Sequence, residues 1–210
     1  MDEPSRAEEI NPVTGERFRR PDDIFQLRVT LLEVEPPIWR RLLVAQDLAL
    51  PRLHSILQVV MGWTDSHLHQ FRAGEVGFGE PTMEYEPGPI DHRRITVNQI
   101  LPRRGASCVY EYDFGDGWEH LLEVEAELPV ESVKDPIPRC LGGERACPPE
   151  DCGGPGGYMR LLEAVQDAND EEHDDYLEWL GQDFDSEAFD LRGVNSVLAR
   201  FRTRSRQRNR

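Results

Sequence analysis

The sequence predicts an α+β fold: a mixed, largely antiparallel sheet of the α/β-roll kind, with one helix after the second strand and a group of helices at the C-terminal end. Three observations carry this. Apolar residues alternate with polar ones in several early runs, which is the period of a half-buried strand. An Asp-Gly pair joins two such runs in the middle of the chain. Helical spacing is confined to one early stretch and to the region after Tyr158, so strands and helices segregate instead of alternating as in a parallel βα sheet.

Residues 1–22 carry Pro4, Pro12, Gly15 and Pro21 without apolar periodicity and read as a disordered leader. From Phe25 to Val34, Phe25, Leu27, Val29 and Leu31 alternate with Gln26, Arg28 and Thr30, which predicts the first strand. Pro36-Pro37 interrupts it and Ile38 to Val44 forms the second. Pro51 opens a helix through Leu53, Ile56, Leu57, Val60 and Met61, because proline fits where first-turn amides lack partners, and Gly62 closes it. His67 to Arg72 is predicted as a third strand, Ala73 to Gly79 as a short fourth, and 80–94 as loop. Thr96 to Leu101 is a helical turn.

Val109 to Phe114 and Trp118 to Leu128 flank Gly115-Asp116-Gly117 and predict a hairpin. With Asp116-Gly117 as a two-residue loop, Asp113 stands opposite His120. Residues 129–157 are rich in proline and glycine and read as irregular. Three helices follow, through Tyr158 to Val165, through Tyr176 to Leu180, and from an N-cap at Ser186 through Leu191, Val194, Leu198 and Phe201. The expected organisation is therefore a leader at 1–22, one domain at 23–200 and a basic disordered tail at 201–210.

The chain has 210 residues, 38% of them hydrophobic, and a net charge of −16. Arg200, Arg202, Arg204, Arg206, Arg208 and Arg210 crowd the last eleven positions, and setting them aside deepens the net charge to −22. Such a body repels phosphate backbones, so a nucleic-acid partner is expected only through Arg200–Arg210. No apolar run reaches the length of a membrane span and no secretory segment opens the chain, so a cytoplasmic location is expected and no membrane partner. Four cysteines in that compartment read as free thiols or metal ligands.

Two clusters have the composition for chemistry. Asp113, Asp116 and His120 gather at the hairpin, with His67 and His69 two residues apart on the predicted third strand. Carboxylate and imidazole can hold a divalent metal, or the carboxylate can orient the imidazole. The structural alternative is that Asp116 serves the turn and His120 the sheet. Cys140, Cys147 and Cys152 lie six and four residues apart, without the close pairs usual for zinc, and would need a fourth ligand such as His120. Asp113-Phe114-Gly115 has the form of a kinase magnesium triplet but lacks its partner motifs. No phosphate-cradling loop, nucleophile elbow or zinc helix occurs.

Four stretches together resemble the plasmid pRiA4b ORF-3-like family: Pro37-Ile38-Trp39-Arg40-Arg41; Met61 to Phe71, reading MGWTDSHLHQF; Tyr110 to His120, reading YEYDFGDGWEH; and Ala146 to Gly154, reading ACPPEDCGG. The resemblance covers about residues 23 to 200 and implies an α/β roll. It implies no activity, since the family, spread over plasmids, mobile elements and bacterial chromosomes, has none assigned. Its signatures fall on Trp63, Asp65, His67, Phe71, Asp113, Gly115, Asp116, Gly117, Trp118, His120, Pro148, Pro149, Glu150 and Asp151; the tryptophans are equally suited to sheet packing.

The absence of a complete catalytic motif makes a non-enzymatic binding or interaction module, linked to plasmids or mobile elements, the first reading, with a groove between sheet and C-terminal helices for a peptide, protein or nucleic-acid partner. Its candidate residues are Asp113, Asp116, His120, His67, His69, Trp63, Trp118, Glu150 and Asp151. The alternative is a metal-dependent hydrolase or nuclease with a divalent cation on Asp113, Asp116 and His120, assisted by His67, His69, Glu150 or Asp151. A second alternative is DNA association through the arginine tail.

Overall fold

The computed structural model describes residues 23–81, 88–181 and 184–201. The predicted leader and, Phe201 apart, the predicted tail lie outside the described residues. The strands form one eight-stranded mixed sheet in the order β5-β4-β3-β6-β7-β1-β2-β8. These are β1 (Asp23–Leu31), β2 (Trp39–Ala45), β3 (His69–Ala73), β4 (Val76–Gly79), β5 (Ile90–Asp91), β6 (Ser107–Tyr112), β7 (Trp118–Pro129) and β8 (Arg139–Glu144). Every neighbouring pair is antiparallel except β4 and β5. The helices are α1 (Leu50–Met61), α2 (Val97–Ile100), α3 (Gly154–Gln166), α4 (His173–Leu180) and α5 (Leu191–Leu198), with a 3-10 turn at His92–Arg94.

Alternation divides the sheet into two faces. Phe25, Leu27, Val29 and Leu31 of β1, Leu42 and Val44 of β2, Phe71, Phe78, Tyr110, Tyr112, Trp118 and Leu122 point inward and are buried with Leu53, Ile56, Leu57 and Val60 of α1. Each such side chain contributes about 1.5–3 kcal/mol on leaving water. The other face is a polar lattice. Arg41 grips Glu125 through two hydrogen bonds (2.6 and 2.8 Å), Gln70 donates to Glu111 (2.7 Å), Arg72 pairs with Glu119, and the Arg28 guanidinium lies over the Trp39 ring.

Four expectations need correction. The hairpin loop spans Asp113 to Gly117, so Tyr112 faces Trp118 and Tyr110, not Asp113, faces His120. Asp113 is left-handed (φ 58°) and its carbonyl accepts from Gly117 N–H at 2.6 Å, closing a wider turn than the Asp-Gly pair implied. The third strand starts at His69, leaving His67 in the preceding loop. Residues 139–144, expected to be irregular, form strand β8 on β2. Gly143 permits that pairing, since a Cβ there would lie 2.7 Å from the Trp39 carbonyl oxygen and 2.9 Å from Phe189. The last helix is capped by Asp190, not Ser186: its carboxylate accepts from the N–H groups of Arg192 (3.1 Å) and Gly193 (2.9 Å).

Beneath β2 sits Arg40, almost wholly buried. Among the described residues no carboxylate meets it. Its Nε donates to Val60 O in the last turn of α1, one terminal nitrogen to Trp39 O and Glu144 O, and the other to Arg145 O, each at 2.8 Å. The Phe189 ring covers the guanidinium. Burial lowers its pKa from the free value. Four carbonyls from three chain segments thus depend on one side chain, and only a planar five-donor fork serves them together.

A second buried polar layer is a stack of three imidazoles. His54 of α1 lies on His69 of β3 with ring centres 3.5 Å apart and planes 2° from parallel, and His92 lies on the far side of His69 at 5.1 Å. His54 Nδ1 meets Tyr110 Oη (2.8 Å) and its Nε2 meets Asp65 Oδ1 (2.7 Å). Burial, then the neighbouring His54 and His92, bring the His69 pKa down to about 3; burial brings His120 down to about 4.

Two outcomes are expected. Replacing Arg40 by methionine keeps volume but strands four carbonyls, so chemical denaturation should show a loss of about 3 kcal/mol or more, and Arg40→Lys should recover only part of it. His69 and His120 stay neutral in the fold above about pH 4 and bind protons near pH 6.5 when unfolded. Their stabilisation is therefore full above that pH and lost as pH falls toward 4. Each adds up to about 1.4 kcal/mol per pH unit to the slope of unfolding free energy between pH 6 and 5, and His120→Phe should make that slope shallower by about this amount.

Candidate metal centre

Three loops meet at one end of the sheet's inner face. The first joins α1 to β3. Gly62 ends α1 in the left-handed conformation, and Trp63 folds back to bury its ring on Tyr112 (centres 4.9 Å, planes 24° apart) while its indole N–H donates to Pro148 O (2.9 Å). Asp65 is left-handed (φ 61°). Its N–H donates to Gln58 Oε1 (2.8 Å), and its carboxylate holds His54. Ser66 N–H donates to Tyr112 Oη (2.9 Å), and the loop delivers His67.

The second loop is the hairpin turn. Asp113 Oδ1 accepts from Gly115 N–H (3.0 Å), and Asp113 N–H donates to Leu68 O (2.9 Å), tying this turn to the first loop. The third loop runs from Arg145 into α3 and carries Glu150 and the left-handed Asp151 (φ 61°). It is seated on the hairpin: Gly153 N–H donates to Asp116 Oδ2 (3.2 Å), and a Cβ on Gly154 would strike the Asp116 carbonyl oxygen. The three sequence stretches that carry Trp63, Asp113 and Asp151 thus converge.

At the junction His67 lies between two carboxylates. Its Nδ1 is 3.5 Å from Asp113 Oδ2 and its Nε2 is 3.4 Å from Asp151 Oδ1. One donor from each residue falls within a group whose members all lie within 4.8 Å of one another. Bonds of about 2.0–2.2 Å place two donors on one ion at most about 4.4 Å apart, so a cation here would require the side chains to draw slightly closer. Asp113 is buried, His67 half-buried and Asp151 exposed, which leaves one side open to solvent. Glu150 stands beside the group. Thr64 and Tyr112 hydroxyls each donate to it at 2.5 Å. Burial pulls its pKa up, but those hydrogen bonds outweigh burial and hold it below the usual carboxylate value.

The candidate residues therefore divide. His67, Asp113 and Asp151 meet as donors, with Glu150 adjoining. Asp116 acts as a seat for the third loop. His120 is enclosed in the core, its Nδ1 on Tyr110 O (3.2 Å) and its ring edge-on to Trp63, away from the donor group. His69 belongs to the imidazole stack, and Trp63 and Trp118 to the packing beneath. Cys140, Cys147 and Cys152 form no ligand group among the described residues; burial raises all three thiol pKa values, the last two to about 12.

Sequence reasoning missed His54, Tyr112 and Arg40. Arg40 was legible, because Ile38, Arg40, Leu42 and Val44 share the inward phase of β2. A cavity of about 680 Å³ lies at the β3-β4-β5 edge, between Leu68, Phe114, Val76 and Ile90.

The chain is similar to proteins of unknown function. It is 44% identical over 177 residues, 83% of this chain and 90% of the relative, to the uncharacterized protein y4hQ of Sinorhizobium fredii (strain NBRC 101917 / NGR234). Its fold matches the crystal structure of a protein of unknown function, MM3350 of Methanosarcina mazei Go1, with a TM-score of 0.70 and 34% identity over 82% of this chain and 97% of that one. Residues 23–193, spanning the sheet and all three loops of the candidate centre, match the model of the plasmid pRiA4b ORF-3-like proteins, and the chain belongs to that family.

Proposed function

We propose that this protein binds a divalent cation between His67, Asp113 and Asp151 and uses it for hydrolysis. The observation that supports the reading is the convergence of those three donors, from three separate loops, within 4.8 Å. Three protein ligands leave coordination positions for water and substrate, as in catalytic centres and unlike closed structural ones. One imidazole with two carboxylates suits manganese, iron(II) or zinc, and such an ion lowers the pKa of bound water enough to supply a nucleophile near neutral pH. Glu150, which accepts hydrogen bonds from the Thr64 and Tyr112 hydroxyls, would accept a proton from such a water or orient it.

Left-handed backbone at two of the ligands guides the choice of variants. Asparagine tolerates that conformation as aspartate does, so Asp113→Asn and Asp151→Asn remove charge without forcing the turn. After chelation and dialysis, titration calorimetry with Mn²⁺ and Zn²⁺ should give one site per chain. Asp151→Asn and His67→Gln should each weaken it by about tenfold or more, while Cys147→Ser leaves it intact. Turnover of an ester or phosphoester panel should vanish with chelator and return with metal. Absence of uptake, or uptake unchanged in Asp151→Asn, contradicts the metal reading; uptake with no metal-dependent turnover contradicts hydrolysis alone.

A further inference from the structure

The cavity at the β3-β4-β5 edge is separate from the donor group, though Leu68 and Phe114 follow His67 and Asp113 directly in sequence. Its walls are apolar, from Leu68, Val76, Pro89, Ile90 and Phe114, and Leu68, Ile90 and Phe114 are exposed. Its charge is acidic. Glu75, Glu80 and Glu111 line it against Arg72, and Arg72 is already engaged by Glu119 and Glu111. An occupant therefore needs cationic groups along a slender backbone.

Such a segment lies in this chain. From Arg200 every second residue is arginine, through Arg202, Arg204, Arg206 and Arg208 to Arg210. In an extended backbone alternate side chains share one side, so these guanidinium groups form a single row with Thr203, Ser205, Gln207 and Asn209 on the other. The position of Phe201 sets the starting point. The Arg52 guanidinium lies 4.4 Å from the centre of its ring and donates to its carbonyl oxygen (3.2 Å), at the first turn of α1. That turn is bonded to the chain that leads out of the groove: Leu50 N–H donates to Ile95 O (2.9 Å), the residue after the His92–Arg94 turn, which directly follows β5, whose Ile90 lines the groove. The nine residues 202–210 reach about 30 Å when extended, at about 3.3–3.6 Å each.

We infer that residues 202–210 dock in extended form in the acidic groove beside β3, β4 and β5 of their own chain. Guanidinium groups face Glu75, Glu80 and Glu111, and the arginine stems cover Ile90 and Val76. Docking borders the Leu68 and Phe114 side of the donor group and withholds the arginines from polyanions. It needs no bound cation.

The test uses the full-length chain in metal-free buffer, with p-benzoylphenylalanine at position 207 in place of Gln207. Photolysis followed by peptide mass spectrometry should join position 207 to residues 75–80, 88–91 or 111–114 within one chain. Yield should fall about fivefold in Glu75→Gln/Glu80→Gln/Glu111→Gln, and similarly at 1 M salt, where the screening length is about 3 Å. Arg204→Ser/Arg206→Ser/Arg208→Ser gives the reciprocal variant without touching the described fold and should lose the product equally. Joining to the acidic helix α4 through Asp174, Asp175 or Glu178 overturns the assignment. So does a product of twice the chain mass, yield indifferent to both triple variants, or no product at all. Repeating the measurement in Asp151→Asn separates it from the metal reading, because the crosslink should persist there.

Discussion

The Arg40 guanidinium is the constraint on which the arrangement rests. A buried cation with no carboxylate partner among the described residues is costly unless its donors are met, and here four of its N–H groups reach backbone oxygens from the end of α1, from β2 itself, and from Glu144 and Arg145 at the end of β8. Fixing those oxygens fixes two of the three loops that build the candidate centre. The end of α1 determines where Trp63 and His67 begin, and Arg145 determines where the chain carrying Glu150 and Asp151 departs. Arg145 is itself left-handed and anchored, through Pro36 O (2.6 Å) and Glu187 (2.8 Å).

The remaining precision comes from local strain held in place by hydrogen bonds. Asp65, Asp113 and Asp151 adopt left-handed backbone, one in each loop. Aspartate enters that region more readily than most residues, yet at about 1 kcal/mol or more each, so three together persist only because neighbours over-determine them. Gln58 and His54 hold Asp65, Leu68 O and Gly117 hold Asp113, and the seating of Gly153 and Gly154 on Asp116 holds the turn after Asp151. Trp63 fills the space beneath, joining the first loop to the third through Pro148 and to the sheet through Tyr112. The donors are thereby presented from a rigid base while Asp151 faces solvent.

Much of this was legible in the sequence. Period-2 runs located β1, β2, β6 and β7, and the Pro51 to Gly62 stretch located α1, because those elements bury one face against a core. The register of the hairpin was not legible. Gly115-Asp116-Gly117 has the composition of a two-residue turn, but left-handed residues at both ends, Asp113 and Gly117, close a wider one. That one difference moves His120 into the core opposite Tyr110 and frees Asp113 for His67. Strand β8 was hidden because Gly142 and Gly143, between prolines, carry no alternation; its order comes from β2 and from Asn195, whose side-chain amide donates to Cys140 O and accepts from Cys140 N–H. The donor residues were individually suspected, but their grouping depends on chain segments more than thirty residues apart, which pattern cannot relate.

The account stands or falls on whether these loops form one cation site. The most direct measurement is anomalous diffraction at the manganese edge from crystals of the native protein equilibrated with Mn²⁺. The expected result is a single strong peak within about 2.0–2.3 Å of donor atoms of His67, Asp113 and Asp151. A map with no peak there, or with the ion on other residues, would contradict it.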